Sequence, residues 1–147
     1  MDTPIITIVN RWFELWSSGD LEIADEIIDP DYAPEWIQIP KKGPEQVKQE
    51  VTYFRGMFPD LRYEIMDFAI KDEKVWVRYR ATGTHQGKAW GFEPTGKQAT
   101  FKGVTIFTVN PSGKIIDRWG AFCFYDIFTE LGLVPPWWEL SGYLKKE

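Results

Sequence analysis

The sequence predicts an α+β fold in which helices come first and an antiparallel sheet follows. Apolar residues recur at three- and four-residue steps up to about residue 58, which is typical of amphipathic helices. Beyond Pro59 the period changes to two and Val, Trp and Tyr become frequent, which is typical of strands. Because the strands follow the helices instead of alternating with them, the class is α+β. A length of 147 residues suits one domain, residues 1–147.

Three helices are predicted in the first part of the chain. The first begins at Pro4 and carries an apolar stripe as far as Trp16. The second covers residues 21–29, after the helix-stopping tetrapeptide SSGD. The third runs from Pro44 to about Met57, since Pro59 prevents it from continuing. The proline-rich residues between the second and third helices are expected to form a loop.

The rest of the chain predicts two hairpins and a tail. Residues 63–86 contain two strand-like runs around a KDEK turn. The runs ATFKGVTIFTV and KIIDRWGAFCF are joined by NPSGK, whose residues favour chain reversal. One short helical turn and a proline-broken, aromatic cover are expected in the tail. Together these elements predict a curved antiparallel sheet wrapped around the N-terminal helices, a cone-shaped barrel with an internal pocket.

Composition excludes several classes of function. The net charge is −5 and the charges are interspersed, so no basic stripe favours nucleic acid. Cys123 is the only cysteine and His85 the only histidine, which excludes an intrachain disulfide and argues against a metal centre. The sequence contains no run of eighteen apolar residues, so it predicts no membrane span, and we expect a cytoplasmic protein. With 16% aromatic residues, the predicted pocket should be apolar and aromatic.

Seven short segments, in order, resemble the SnoaL-like polyketide cyclases, a branch of the nuclear-transport-factor-2-like superfamily. They are DPDY at residue 29, GPEQVKQ at 43, FPDLR at 58, ATGTHQG at 81, PTGKQATFKG at 94, GKIIDRW at 113 and LGLVP at 131. The resemblance implies an oligomeric cone without a cofactor that closes rings by an intramolecular aldol step. It also implies a catalytic aspartate directly after the KIIDRW segment, where this chain has Gly120. The family's mechanism therefore cannot simply be transferred.

Strand alternation predicts which residues of this segment remain available. If Gly120 faces the pocket, so do Ile116, Arg118 and Phe122, while Trp119 and its alternate neighbours face outward. Arg118 is a candidate cation for an enolate or carboxylate in a desolvated cavity. A surface arginine lying over apolar side chains is the alternative interpretation.

Two further residues are candidate catalytic groups. His85 matches the histidine of the family's GTH segment, and an imidazole suits acid–base chemistry at neutral pH. Glu35 lies among apolar and proline residues, where partial desolvation would suit proton transfer. A structural histidine and a solvated glutamate are the alternatives. The expected substrate-binding residues are Trp36, Tyr53, Tyr79, Gly120 and Phe122.

These observations predict a cyclase, isomerase or dehydratase that acts on a hydrophobic, carbonyl-containing small molecule without a cofactor. A non-catalytic binding protein of the same shape is one alternative. An epoxide-hydrolase-like enzyme is another, although we find no convincing pair of pocket-facing aspartates. The outward-facing Trp119, Ala121 and Cys123 predict a homodimer formed through the sheet.

Overall fold

The helices precede the sheet, as predicted. The computed structural model describes residues 5–143, in which α1 spans Ile5–Ser18, α2 spans Glu22–Ile27 and α3 spans Pro44–Met57. The predicted start of α1 at Pro4 lies outside the described residues. The third helix has the predicted bounds. The second is shorter than expected, because the backbone of Ile28 is extended and forms a bridge with Ile115 of the sheet.

Four antiparallel strands form one curved, unclosed sheet in the order β1-β2-β3-β4. Their bounds are β1 Arg62–Lys71, β2 Lys74–Thr84, β3 Gln98–Val109 and β4 Ile115–Phe122. Both predicted hairpins are confirmed, and β2 pairs with β3 along its entire length. The tail contains more helix than the single turn expected, with α4 at Phe124–Glu130, a 3₁₀ turn at Trp137–Glu139 and α5 at Leu140–Tyr143.

The core lies between one face of the sheet and the helices. Trp12 of α1 packs edge-on against Phe107 of β3, with ring centroids 5.2 Å apart. Phe13 lies against Tyr79 of β2, and Phe58, just after α3, packs edge-on against Phe101. Many of the aromatic side chains therefore contact one another in the core, and such aromatic pairs add stability beyond that of burial alone.

Arg55 joins three elements that surround this core. Its Nη1 atom donates to the carbonyl oxygens of Trp16, Ser17 and Leu61 at 3.0, 3.1 and 2.9 Å. Its Nη2 atom donates to the carbonyl oxygen of Pro59 at 2.7 Å. One guanidinium thus satisfies carbonyls at the end of α1 and in the turn between α3 and β1. This arrangement fixes where the chain leaves α1 and where β1 begins.

The alternation predicted for β4 holds over most of the strand but not at its start. Arg118 is buried, whereas Asp117 and Trp119 are exposed. The β3–β4 register shifts between Thr108 and Val109, so Ile115 is fully buried and Ile116 is only half-buried. Ile116 lies at this irregularity, and its predicted direction toward the pocket stays a prediction.

Candidate functional site

A cavity of about 280 Å³ lies between the sheet, α3 and the N-terminal part of the tail. Aromatic side chains form most of its wall, and the smaller residues of β4 complete it. The apolar and small residues in its lining are Trp16, Trp36, Phe54, Phe101, Gly120, Ala121, Phe122 and Phe124. Four polar or charged residues also line it: Glu50, Tyr63, Tyr79 and Arg118. An apolar enclosure with a few convergent polar groups is typical of a small-molecule site.

Arg118 is the cation of this site. Only 8% of the residue is exposed, and its guanidinium carbon lies 4.7 Å and 5.0 Å from the ring centroids of Trp12 and Trp36. The indole nitrogen of Trp36 donates to the backbone carbonyl of Arg118. The Nε atom of Arg118 donates to the Tyr32 hydroxyl at 3.2 Å. These contacts hold the guanidinium in one orientation, as a fixed cation–π and hydrogen-bonded group.

Glu50 of α3 neutralises the buried guanidinium. Its Oε1 atom accepts a hydrogen bond from Nη2 of Arg118 at 2.7 Å, and both side chains are largely buried. Burial raises the pKa of Glu50 above its ordinary value, although the positive charge of Arg118 opposes that shift. Burial lowers the pKa of Arg118, but the charge of Glu50 and the contributions of Tyr32 and Tyr79 together outweigh it, so the net shift of the pKa is upward and the arginine stays protonated.

Two tyrosines complete the polar part of the cavity. The rings of Tyr63 and Tyr79 are 5.3 Å apart between centroids. Burial raises the pKa of Tyr79 to about 12 and raises that of Tyr63 well above its usual value. Both hydroxyls therefore remain protonated near neutral pH and are able to donate hydrogen bonds.

The structure brings together most of the predicted binding residues. Trp36, Tyr79, Gly120 and Phe122 all line the cavity that contains Arg118. Arg118 is buried in the cavity wall, which excludes the alternative of a surface arginine. Tyr53 does not line the cavity and is 54% exposed, because it projects from a different side of α3 than Glu50 and Phe54 do. Tyr53 is thus not brought together with the other four, and a role for it in binding stays a prediction.

His85 lies outside the lining of this cavity. It is fully buried just after β2, where its Nδ1 atom accepts a hydrogen bond from the backbone nitrogen of Thr95 at 3.2 Å. Its ring also packs against Phe58, and its backbone pairs with Lys97 and Gly96. These contacts connect the end of β2 to the segment before β3. A catalytic role for His85 stays a prediction, and its position gives more support to the structural alternative.

Glu35 is also outside the cavity lining. Its side chain is exposed on the loop before α3, whereas Trp36, the next residue, reaches the cavity. The buried carboxylate expected from this loop is instead supplied by Glu50, which sequence reasoning missed. A signal was available, because Glu50 lies three residues after Val47 and four before Phe54, on the apolar stripe of α3. An acidic residue within such a stripe is unusual unless it is paired.

A larger groove, of about 610 Å³, lies between α1 and the β3–β4 turn. Arg11 and Glu26 in its lining form an exposed ion pair with each other. Such a pair is screened by solvent, and we place the candidate site at Arg118, where charged groups are desolvated.

Within residues 5–143, no cluster of three or more His, Cys, Asp or Glu side chains could hold a metal ion. No helix in the same range is long and apolar enough to cross a membrane.

Comparison with a family model decides the family. The model for the SnoaL-like polyketide cyclases matches residues 6–131. The chain belongs to the SnoaL-like polyketide cyclase family. The resemblance seen in the sequence is thereby confirmed, and the match includes both hairpins and the cavity. A search of curated proteins finds no significant match.

Solved structures agree with the SnoaL-like fold. TsrD from Streptomyces laurentii is 17% identical, with a TM-score of 0.82 over 91% of this chain and 99% of that one. IdmH from Streptomyces antibioticus is 24% identical, with a TM-score of 0.76 over 88% and 99%. A SnoaL-like polyketide cyclase from Agrobacterium tumefaciens is 15% identical, with a TM-score of 0.74 over 90% and 100%. At these identities the structures show a shared fold.

Proposed function

We propose that this SnoaL-like protein is a cyclase or isomerase that acts by acid–base chemistry on a hydrophobic, carbonyl-containing small molecule. The observation that carries the proposal is the buried Arg118–Glu50 pair in the wall of an aromatic-lined cavity. A carboxylate with a raised pKa is suited to accept and return a proton, and a fixed guanidinium is suited to stabilise a developing oxyanion. No cofactor is needed for this chemistry.

In the proposed reaction, the Glu50 carboxylate removes a proton from the carbon next to a substrate carbonyl. The electron pair of the broken C–H bond forms a C=C bond, and the carbonyl oxygen takes up the negative charge beside Arg118. For ring closure, the electron pair of this C=C bond then attacks the carbon of a second carbonyl in the same molecule and forms a C–C bond. The first carbonyl is restored, and the π electrons of the second carbonyl move to its oxygen, which becomes an alkoxide. The new alkoxide takes the proton from Glu50, so the carboxylate is regenerated and all atoms are conserved.

The alternative of a non-catalytic binding protein has one specific observation in its favour. Because Glu50 neutralises Arg118, the pair also serves to keep a buried charge satisfied, which requires no reaction. An epoxide-hydrolase-like reaction is less well supported. The Asp-Arg-Asp arrangement that it needs is not matched by the described lining, where Glu50 is the one carboxylate beside Arg118.

Deuterium exchange tests the proposed function without knowledge of the natural substrate. We expect the protein to accelerate exchange of the α-protons of 1-tetralone in D₂O, measured by proton NMR, because exchange needs only the proton-transfer step. Chelator in the buffer should leave the rate unchanged. Binding of 1-tetralone without any acceleration over buffer would instead support the binding-protein alternative.

We further propose that the protein is a homodimer formed through the outer face of the sheet. Trp76, Ile106 and Trp119 form a row across β2, β3 and β4, and the two tryptophans are 48% and 51% exposed. An apolar row of this kind favours association with a second copy through a self-complementary interface. The predicted outward direction of Trp119 agrees with this arrangement.

Light scattering tests the dimer at high micromolar concentration. We expect the mass of a dimer for the wild-type protein and that of a monomer for Trp76→Lys/Trp119→Lys, because two charges would be buried in the interface. The control is Trp138→Lys, at an exposed tryptophan outside the sheet, which should remain dimeric. A monomeric wild-type protein would refute the proposal.

A further inference from the structure

Tyr32 contacts the buried ion pair from outside the cavity. It lies in the loop between α2 and α3, is fully buried, and does not line the cavity. Its backbone nitrogen donates to the carbonyl oxygen of Asp29 at 3.0 Å, and its carbonyl oxygen accepts from the backbone nitrogen of Gly43 at 2.7 Å. Because Gly43 directly precedes α3, these bonds fix Tyr32 relative to the helix that carries Glu50.

The Tyr32 hydroxyl and the Glu50 carboxylate share one edge of the Arg118 guanidinium. Nε donates to the hydroxyl oxygen of Tyr32 at 3.2 Å, and Nη2 donates to Oε1 of Glu50 at 2.7 Å. The N–H bonds of Nε and Nη2 point to the same side of the planar group, and such an edge can bind both oxygens of a carboxylate at once. In this protein the Tyr32 hydroxyl takes the place of the second carboxylate oxygen.

Glu50 therefore pairs with Arg118 through one oxygen. Within residues 5–143 the structure shows a hydrogen bond to Oε1 of Glu50 and none to Oε2. Since Glu50 lines the cavity, Oε2 keeps its lone pairs available to a ligand. A bidentate pair would engage both oxygens and stabilise the charged carboxylate further, which would make it a poorer acceptor of a proton.

We propose that Tyr32 is a positioning residue that accepts the Nε hydrogen bond, prevents Arg118 from forming a bidentate pair with Glu50, and leaves one carboxylate oxygen free to take the substrate's proton. The inference rests on the proposed function, in which Glu50 is the base. Tyr32 acts through Arg118 and does not touch the substrate. Burial raises the pKa of its hydroxyl, which therefore stays neutral and places no second negative charge beside the guanidinium.

Arg118 and three tyrosines are the titratable groups that interact electrostatically with Glu50 in the described part of the chain. Arg118 faces it from β4 and carries the positive charge. Tyr32, Tyr63 and Tyr79 belong to the loop, β1 and β2, and stay protonated near neutral pH because burial raises their pKa values. A change in the pKa of Glu50 after substitution of Tyr32 thus reports a change in how Arg118 contacts the carboxylate.

Titration of the carboxyl groups by carbon-13 NMR tests the positioning role without turnover. The signal of Glu50 is assigned by its absence in Glu50→Gln, and its midpoint is measured in the wild-type protein, Tyr32→Phe and the control Tyr125→Phe. We expect the midpoint to fall by about one pH unit in Tyr32→Phe, as for one added hydrogen bond to a charged group, because Nε then donates to the second oxygen. It should stay constant in Tyr125→Phe, which loses a hydrogen bond to the carbonyl of Pro135 in the tail.

A second variant, Tyr32→Met, keeps the test decisive if Tyr32→Phe does not fold. The flexible methionine side chain fills irregular space and its sulfur is a weak acceptor, so we expect the same downward shift of the midpoint. An unchanged or raised midpoint in the folded variants would overturn the positioning role. Because this titration needs no turnover, Tyr32 can have its role while deuterium exchange fails, and exchange can occur while the midpoint stays unchanged.

The exchange of 1-tetralone α-protons gives a second readout of the same role. In Tyr32→Phe we expect deuterium incorporation to slow severalfold and the acidic limb of its pH profile to move to lower pH, because the carboxylate is a weaker base. Binding of 1-tetralone should be retained. A slower reaction whose acidic limb does not move would show that Tyr32 is merely structural and would contradict the proposal.

Discussion

Replacing Glu50 by glutamine is expected to slow the exchange of 1-tetralone α-protons by about a hundredfold or more, the usual contribution of a general acid–base group. Glutamine has nearly the same shape and can still accept a hydrogen bond from Arg118, but it cannot take up a proton. The rate of deuterium incorporation, followed by proton NMR at constant pH, measures the effect. Binding of 1-tetralone should change much less than the rate.

The matched control is Glu45→Gln, five residues earlier on α3. Its carboxylate is exposed and pairs with Lys48, so exchange should proceed at the wild-type rate.

His85→Gln distinguishes the two candidate proton carriers, His85 and Glu50. Loss of exchange in His85→Gln, together with full exchange in Glu50→Gln, would assign the chemistry to the histidine and contradict the mechanism proposed for Glu50.

The pH dependence of the same reaction follows from the environment of Glu50. Burial raises its pKa, so the carboxylate that accepts the proton forms only above the ordinary range of a glutamate, about 4.3. Exchange should therefore increase with pH through this raised pKa and then level off. The acidic limb of the profile should be absent from the residual rate of Glu50→Gln.

Replacing Arg118 by methionine is expected to destabilise the protein by about 3–5 kcal/mol, the usual cost of leaving a buried charge without its partner. The loss should be smaller at low pH, because Glu50 then becomes neutral. With the guanidinium absent, the folded-state pKa of Glu50 is raised further above its unfolded value. The free energy of unfolding of Arg118→Met is thus greatest below the pKa that Glu50 has in the unfolded chain. It decreases as the pH rises through the higher pKa that Glu50 has in the folded protein. Urea unfolding at several pH values measures both effects.

Two comparison variants test whether the loss of stability in Arg118→Met arises from the burial of its ion pair. Arg80→Met removes an exposed pair with Glu64 and should cost less than about 1 kcal/mol. The double variant Arg118→Met/Glu50→Leu removes both charges and should recover most of the stability. Equal losses in Arg118→Met and Arg80→Met would show that the Arg118 pair is not desolvated in solution.

The order and type of the main elements could be predicted because they depend on local pattern. The apolar period of α3 and the proline that ends it are both visible in the chain, and its bounds agree with the structure. The orientation of Arg118 and Phe122 followed from alternation along one strand. Strict alternation does not hold at Ile115, which is buried, because a β-irregularity depends on how β4 pairs with β3 and not on the residues of β4 alone.

What the sequence by itself determined was the α+β class, the family and the aromatic, cationic character of one stretch of β4, since periodicity and motifs are local properties. Only the tertiary structure decided which acid meets Arg118. Glu50 and Arg118 are 68 residues apart in the chain, and they come within 2.7 Å because α3 packs over the sheet. Glu35 and His85 have chemistry suited to catalysis, but their backbones direct them to solvent and to a buried turn. The type of each side chain is known from the sequence, whereas its burial and its partners depend on how distant segments of the chain pack together.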